Sequence, residues 1–149
     1  MPSGATGRLL RDPRTGSSFW FDAGAVCLDF VYTGGEGRYA VFESLHEPGD
    51  LAEWLAAPPL EAVMTEPVTA DELTAAKALR QAIWVAAQAR AAQRPVPAEA
   101  IAVINRAAAA PPLVPELAAD GMTAGWAAPV RVSQALSTLA REMIELLSG

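Results

Sequence analysis

Few side chains in this sequence combine a reactive type with a spacing suited to catalysis. His46 is the only histidine, and Glu43 and Glu47 lie close to it in the chain. A histidine beside a carboxylate can act as a general base. Residues adjacent in sequence do not share a face, however, and a histidine just before Pro48-Gly49 is typical of a solvated loop. We therefore predict no catalytic residue in this segment.

The single cysteine, Cys27, lies in the apolar run Ala25-Val26-Cys27-Leu28. A lone cysteine cannot form an intramolecular disulfide, and one cysteine with one histidine cannot complete a four-ligand zinc site. We predict a small buried hydrophobic side chain at this position rather than a reactive thiol. No metal and no cofactor is expected.

The stronger candidates are polar residues in apolar surroundings. Asp29 interrupts an apolar run, and a buried carboxylate is costly unless it is paired or hydrogen-bonded. It is therefore either a structural ion pair or helix cap, with Arg80 as one candidate partner, or a wall of a small-molecule pocket. The planar guanidinium of Arg80 could bind a carboxylate of Asp29 or of a ligand. Asn105 either satisfies backbone groups or lines a cleft.

Length and composition limit the class of protein. The chain has 149 residues, 52% of them hydrophobic and 19% charged, which is typical of one folded domain and excludes a disordered tail. The formal net charge of −6 disfavours binding to a phosphate backbone. No run of about 18 apolar residues predicts a membrane span, and the first residues lack the apolar core of a secretory signal. We expect a cytoplasmic protein.

The elements that must position these residues form one α+β domain, predominantly helical, with a small antiparallel sheet or hairpin. Residues 1–17 predict a flexible N-terminal arm, and residues 18–149 the domain. The period of residues 25–33 fits a strand or a helix equally well. Elsewhere the patterns predict a strand at 18–22 and a hairpin around Asp120-Gly121. They also predict four helices, at 51–57, about 70–93, 98–109 and 132–147. The first is capped by Asp50, the second begins with the capping box of Thr69 and Glu72, and the last is capped by Ser133.

Apolar spacing also predicts which face of each helix is buried. For the helix at 70–93, the predicted stripe is Leu73, Ala76, Leu79, Ile83 and Ala87. For the helix at 98–109, it is Ile101, Ile104 and Ala108. For the last helix, it is Leu136, Leu139, Met143, Leu146 and Leu147. The four tryptophans (Trp20, Trp54, Trp84 and Trp126) are more typical of a core than of a binding site, and Thr33 is typical of a turn.

Several short motifs occur in a characteristic order: Cys27-Leu28-Asp29-Phe30-Val31-Tyr32-Thr33, Leu51-Ala52-Glu53-Trp54-Leu55, Leu79-Arg80-Gln81-Ala82, Ile104-Asn105 and Leu146-Leu147-Ser148. In this order and spacing, from about Phe19 to Ser148, the chain resembles the ABATE domain. That domain is the N-terminal part of bacterial stress-induced transcription regulators, usually followed by a CGNR zinc finger. The chain departs from the family at Tyr32, where an asparagine is usual. It also contains no CGNR tetrapeptide, so DNA binding through a finger is not carried over.

The resemblance implies a non-catalytic regulatory domain that senses a small-molecule effector or binds a protein. The ligand-binding candidates are Asp29, Tyr32, Thr33, Trp54, Arg80 and Asn105. One alternative is a dimerisation module without a ligand, in which Leu136, Leu139, Met143 and Leu147 pack on a second copy. A small enzyme is the third hypothesis. In each case, DNA would be contacted only through a zinc finger that this chain lacks.

Overall fold

A computed structural model describes residues 7–11, 18–22, 25–34 and 43–149. Within these ranges the chain forms five helices and two antiparallel hairpins, which confirms the helical α+β class. The strands are β1 (Gly7–Arg11), β2 (Ser18–Asp22), β3 (Pro115–Leu117) and β4 (Ala124–Trp126). The helices are α1 (Val26–Val31), α2 (Pro48–Ala56), α3 (Ala70–Ala91), α4 (Ala98–Ala109) and α5 (Val132–Ser148).

The central helix is α3, which contacts α1, α2, α4 and α5. The predicted capping box begins it: the Glu72 backbone N–H donates to Thr69 Oγ1 (3.1 Å), and the Thr69 N–H donates to Glu72 Oε1 (2.8 Å). The predicted stripe is buried from Leu73 to Ile83. At its end Ala86 is fully buried and Ala87 only half-buried. Alanine at these positions lets neighbouring helices pack close to the α3 backbone.

The helices α4 and α5 pack on each other and on α3. The bounds of α4 are those predicted, but Ile101 is 44% exposed, because the buried face centres on Ala100 and Ile104, which are four residues apart. On α5, the predicted stripe is buried at Leu136, Leu139 and Met143. It continues at i+4 to the half-buried Leu147, so Leu146 is 46% exposed.

Two predicted helix caps are wrong. Helix α2 begins at Pro48, whose fixed φ suits the first helical position, so Asp50 lies in the first turn instead of before it. There the Asp50 carboxylate accepts the backbone N–H groups of His46 (2.8 Å) and Glu47 (2.9 Å). Likewise α5 begins at Val132, which places Ser133 inside the helix.

The ambiguous run at 25–33 is a helix, α1, which packs against α3 and α5. Cys27, Asp29, Phe30 and Val31 are buried there. Glu142 of α5 accepts the backbone N–H of Cys27 at 2.7 Å and so satisfies one of the free donors at the start of α1. A contact with a residue so far away in the chain cannot be predicted from the spacing of apolar residues within 25–33.

One hairpin precedes the helices and the other lies between α4 and α5. The predicted strand at 18–22 is β2, paired with β1. Of the predicted arm, 1–17, only residues 7–11 are described, and they form β1; the remainder lies outside the described residues. The predicted hairpin around Asp120-Gly121 is confirmed as β3 and β4. It is attached to the segment between α2 and α3 by Trp126, whose Nε1–H donates to the Leu60 carbonyl at 2.8 Å.

Candidate ligand site

Arg80 is the best-defined candidate, since its side chain is buried on α3 with only 4% of the residue exposed. Its guanidinium faces Glu43 in a two-bond pair: Nη1–H donates to Oε2 at 3.0 Å, and Nη2–H donates to Oε1 at 2.8 Å. Nη1 also donates to Thr33 Oγ1 at 3.1 Å. This arrangement fixes the plane of the guanidinium and offsets the cost of burying its charge.

The partners of Arg80 lie at the two ends of the segment 35–42, which is outside the described residues. The Ser44 backbone N–H donates to the Thr33 carbonyl at 2.7 Å, and this bond joins the two ends. Gly34 allows the approach: its φ is +141°, and a Cβ there would lie 2.5 Å from Glu43 Cα. Only glycine fits both conditions. Arg80 is therefore bonded to residues on both sides of this segment.

The electrostatics of the pair favour an ionised Glu43. Partial burial acts to raise the pKa of the Glu43 carboxyl. The hydrogen bonds from Arg80 and from the Leu45 backbone, together with the positive charges of Arg80 and Lys77, outweigh it and hold the pKa below its usual range. The pair is thus an ion pair at neutral pH.

Three other predicted site residues lie on α1, at its end and on α2. Asp29 is 1% exposed on α1, one helical turn before Thr33. Trp54 of α2 packs on Phe30 of α1, with ring centroids 4.9 Å apart. Tyr32 ends α1 and is half-buried. The sequence named Asp29 as one candidate partner of Arg80, whereas the salt bridge of Arg80 in the described structure is with Glu43.

Glu43 is the member of this site that sequence reasoning missed. It is 37 residues from Arg80 in the chain, and its only evident role was as a neighbour of His46. A short-range motif cannot report a contact over that separation. The one available signal was that Arg80 lies on an apolar helix face and needs a carboxylate.

Two buried donors on α3 have no hydrogen-bond acceptor in the described part of the chain: Arg80 Nε and Trp84 Nε1. Residues four apart lie on one face of a helix, so both donors belong to the same side of α3. An unsatisfied buried donor costs about 1–3 kcal/mol. A ligand with oxygen acceptors could satisfy both N–H groups.

Asn105 and His46 lie elsewhere. Asn105 is exposed on α4, and His46 is exposed just before α2. No group of three or more His, Cys, Asp or Glu suited to a metal ion occurs among the described residues. Cys27 is buried as predicted; burial raises the pKa of its thiol far above the usual range, and the Glu142 carboxylate raises it further.

Comparison with known proteins places this chain in a family. The ABATE family model, whose description is "Putative stress-induced transcription regulator", matches residues 24–149. The chain belongs to this family, which confirms the resemblance found in the motifs. Searches of curated proteins and of solved structures gave no significant match. In the described ranges, no helix has both the length and the apolar character that crossing a bilayer requires.

Proposed function

We propose that the chain is a non-catalytic regulatory domain that binds a small effector with oxygen acceptors at Arg80 and Trp84. Family membership supports a role in transcription regulation. The observation that carries the ligand site is the pair of buried N–H donors, Arg80 Nε and Trp84 Nε1, left without acceptors on one side of α3. A carboxylate or a pair of carbonyl oxygens satisfies both donors.

The position of Arg80 supports a regulatory consequence of binding. Its guanidinium bonds Thr33 before the segment 35–42 and Glu43 after it. An acceptor at Nε adds a hydrogen bond to the guanidinium that also holds Thr33 and Glu43, and so favours one arrangement of these ends over another. Asp29, Tyr32 and Trp54 form the surroundings of this proposed site. Asn105 is not included, since it is exposed on α4.

A thermal-shift screen with small carboxylates and neutral carbonyl compounds tests this proposal. Compounds that raise the Tm of the wild type should lose affinity by about tenfold in Trp84→Phe, which keeps an aromatic ring and removes the N–H donor. Trp126→Phe is the matched control, because its N–H already donates to Leu60. A screen without any hit, or hits that bind Trp84→Phe unchanged, would contradict the proposal.

The dimerisation alternative is weakened by the packing of α5. Of its four supporting residues, Leu136, Leu139 and Met143 are 7%, 1% and 2% exposed and belong to the chain's own core. The fourth, Leu147, is half-buried against that core. Ile144 and Leu146 are the larger apolar side chains of α5 that remain exposed. Sedimentation equilibrium over a wide concentration range separates the two functions.

A further inference from the structure

A second feature lies beside α2, on residues that the proposed effector site does not use. An open cleft of about 460 Å³ runs between α2 and the segment 63–67. Its apolar surface comes from Ala52 and Ala56, one helical turn apart on α2, and from Val63 and Met64 opposite. The two alanines are small, so the helix leaves space at this face.

The cleft is held open by the fold. The Thr65 N–H donates to the Val130 carbonyl at 2.9 Å, and the Val130 N–H donates to Thr65 Oγ1 at 2.7 Å. These two bonds fix the segment 63–67 beside the start of α5. On the other wall, α2 is anchored by Leu51, Trp54 and Leu55, which are buried in the core. The cleft is therefore preformed and would need little rearrangement on binding.

The two charged residues that line the cleft are both acidic. Glu53 and Glu66 line it, both are exposed, and in the described structure neither takes part in an ion pair. From Ser44 to Ala76 the chain carries no Lys or Arg and seven acidic residues: Glu47, Asp50, Glu53, Glu61, Glu66, Asp71 and Glu72. An apolar surface flanked by two exposed carboxylates attracts a partner that is both apolar and basic.

We infer that this cleft is a docking site for a basic amphipathic helix of a partner chain. An apolar side chain of the helix enters between Ala52, Ala56 and Val63, and flanking Arg or Lys side chains pair with Glu53 and Glu66. The open shape fits a helix laid across the surface, which covers a shallow groove better than a small molecule can. The inference does not depend on the proposed effector site, since the two share no residue.

The test is fluorescence anisotropy with a labelled helical peptide that has leucines on one face and arginines on its flanks. Glu53→Gln with Glu66→Gln should weaken binding by about fivefold to tenfold, and a rise in salt from about 0.05 M to about 0.5 M should weaken it further. Glu99→Gln with Glu116→Gln makes the same change in net charge at exposed sites elsewhere, and should change the Kd by less than about twofold.

A second pair of variants tests the apolar wall. Val63→Ser should also weaken peptide binding, whereas Leu117→Ser should not; both side chains are largely exposed (70% and 69%), so neither change should unfold the chain. No binding by the wild type, an equal loss in the control variants, or equal binding of a peptide with Glu in place of Arg overturns the inference. Binding of hexylammonium as tight as that of the peptide overturns it as well, since the occupant would then be a small organic cation.

Discussion

Arg80 and Glu43, separated by 37 residues, form a partly buried pair with two hydrogen bonds of 3.0 and 2.8 Å. Arg80 lies on the central helix α3, and Glu43 directly follows the segment 35–42, so the pair ties the end of that segment to α3. Because Thr33, at the other end of that segment, bonds the same guanidinium, one arginine fixes both ends. This relationship makes Arg80 important for the stability of the fold.

Loss of one partner of this pair should destabilise the fold. Arg80→Ala leaves Glu43 without its countercharge, and Glu43→Gln leaves a buried guanidinium without one. Because Glu43 is 26% exposed, we expect a loss of about 2–3 kcal/mol for either change, below the range for fully buried pairs. Urea denaturation measures it. Arg106→Ala, at an exposed position on α4, should change the free energy of unfolding by less than about 0.5 kcal/mol. An Arg80→Ala variant as stable as the wild type would be incompatible with a structural role for the pair.

The pair should also make stability depend on pH. The folded pKa of Glu43 lies below its usual value of 4.5, so folding favours the ionised carboxylate. Its contribution is fully present above pH 4.5 and is lost as the pH falls through the lowered folded pKa. The difference in unfolding free energy between wild type and Glu43→Gln should therefore be constant from about pH 6 to pH 8 and shrink below about pH 4.5. A difference that stays the same down to pH 3 would contradict this assignment.

Gly34→Ala should be strongly destabilising. The new Cβ would lie 2.5 Å from Glu43 Cα, and the φ of +141° is strained for any residue with a side chain. We expect a loss of about 3 kcal/mol in urea denaturation. Gly49→Ala is the matched control, because Gly49 lies in α2 and a Cβ there would meet no atom within 4 Å beyond its chain neighbours. This variant should gain up to about 0.5–1 kcal/mol from alanine's helix propensity. Equal effects of the two substitutions would show that the close approach to Glu43 does not exist.

Cys27 should be unreactive in the folded protein. Burial, and then the Glu142 carboxylate, raise the pKa of the thiol, so little thiolate exists at neutral pH. Reaction with a disulfide reagent should be at least about a hundredfold slower in buffer than in concentrated urea. The matched reference is free cysteine under both conditions. Rapid reaction of the native thiol would place Cys27 at the surface.

The sequence predicted the parts of the fold that depend on local signals. The capping box of Thr69 and Glu72 placed the start of α3, and Asp120-Gly121 placed the hairpin, because both motifs act within a few residues. The structure of α1 was not predictable, since its N-terminus is satisfied by Glu142, far away in the chain. Arg80 was recognised by its place on an apolar face. Its partner Glu43 was not, because it lies 37 residues away in the chain.

The most direct test of the proposed function is the nitrogen–proton NMR spectrum of the chain during titration with an acceptor ligand from the thermal-shift screen. The Trp84 Nε1–H and Arg80 Nε–H signals should move together as the ligand binds, while the Trp126 Nε1–H signal stays in place because its acceptor is the Leu60 carbonyl. A saturating ligand that leaves the Trp84 and Arg80 signals unchanged would contradict an effector site on this side of α3.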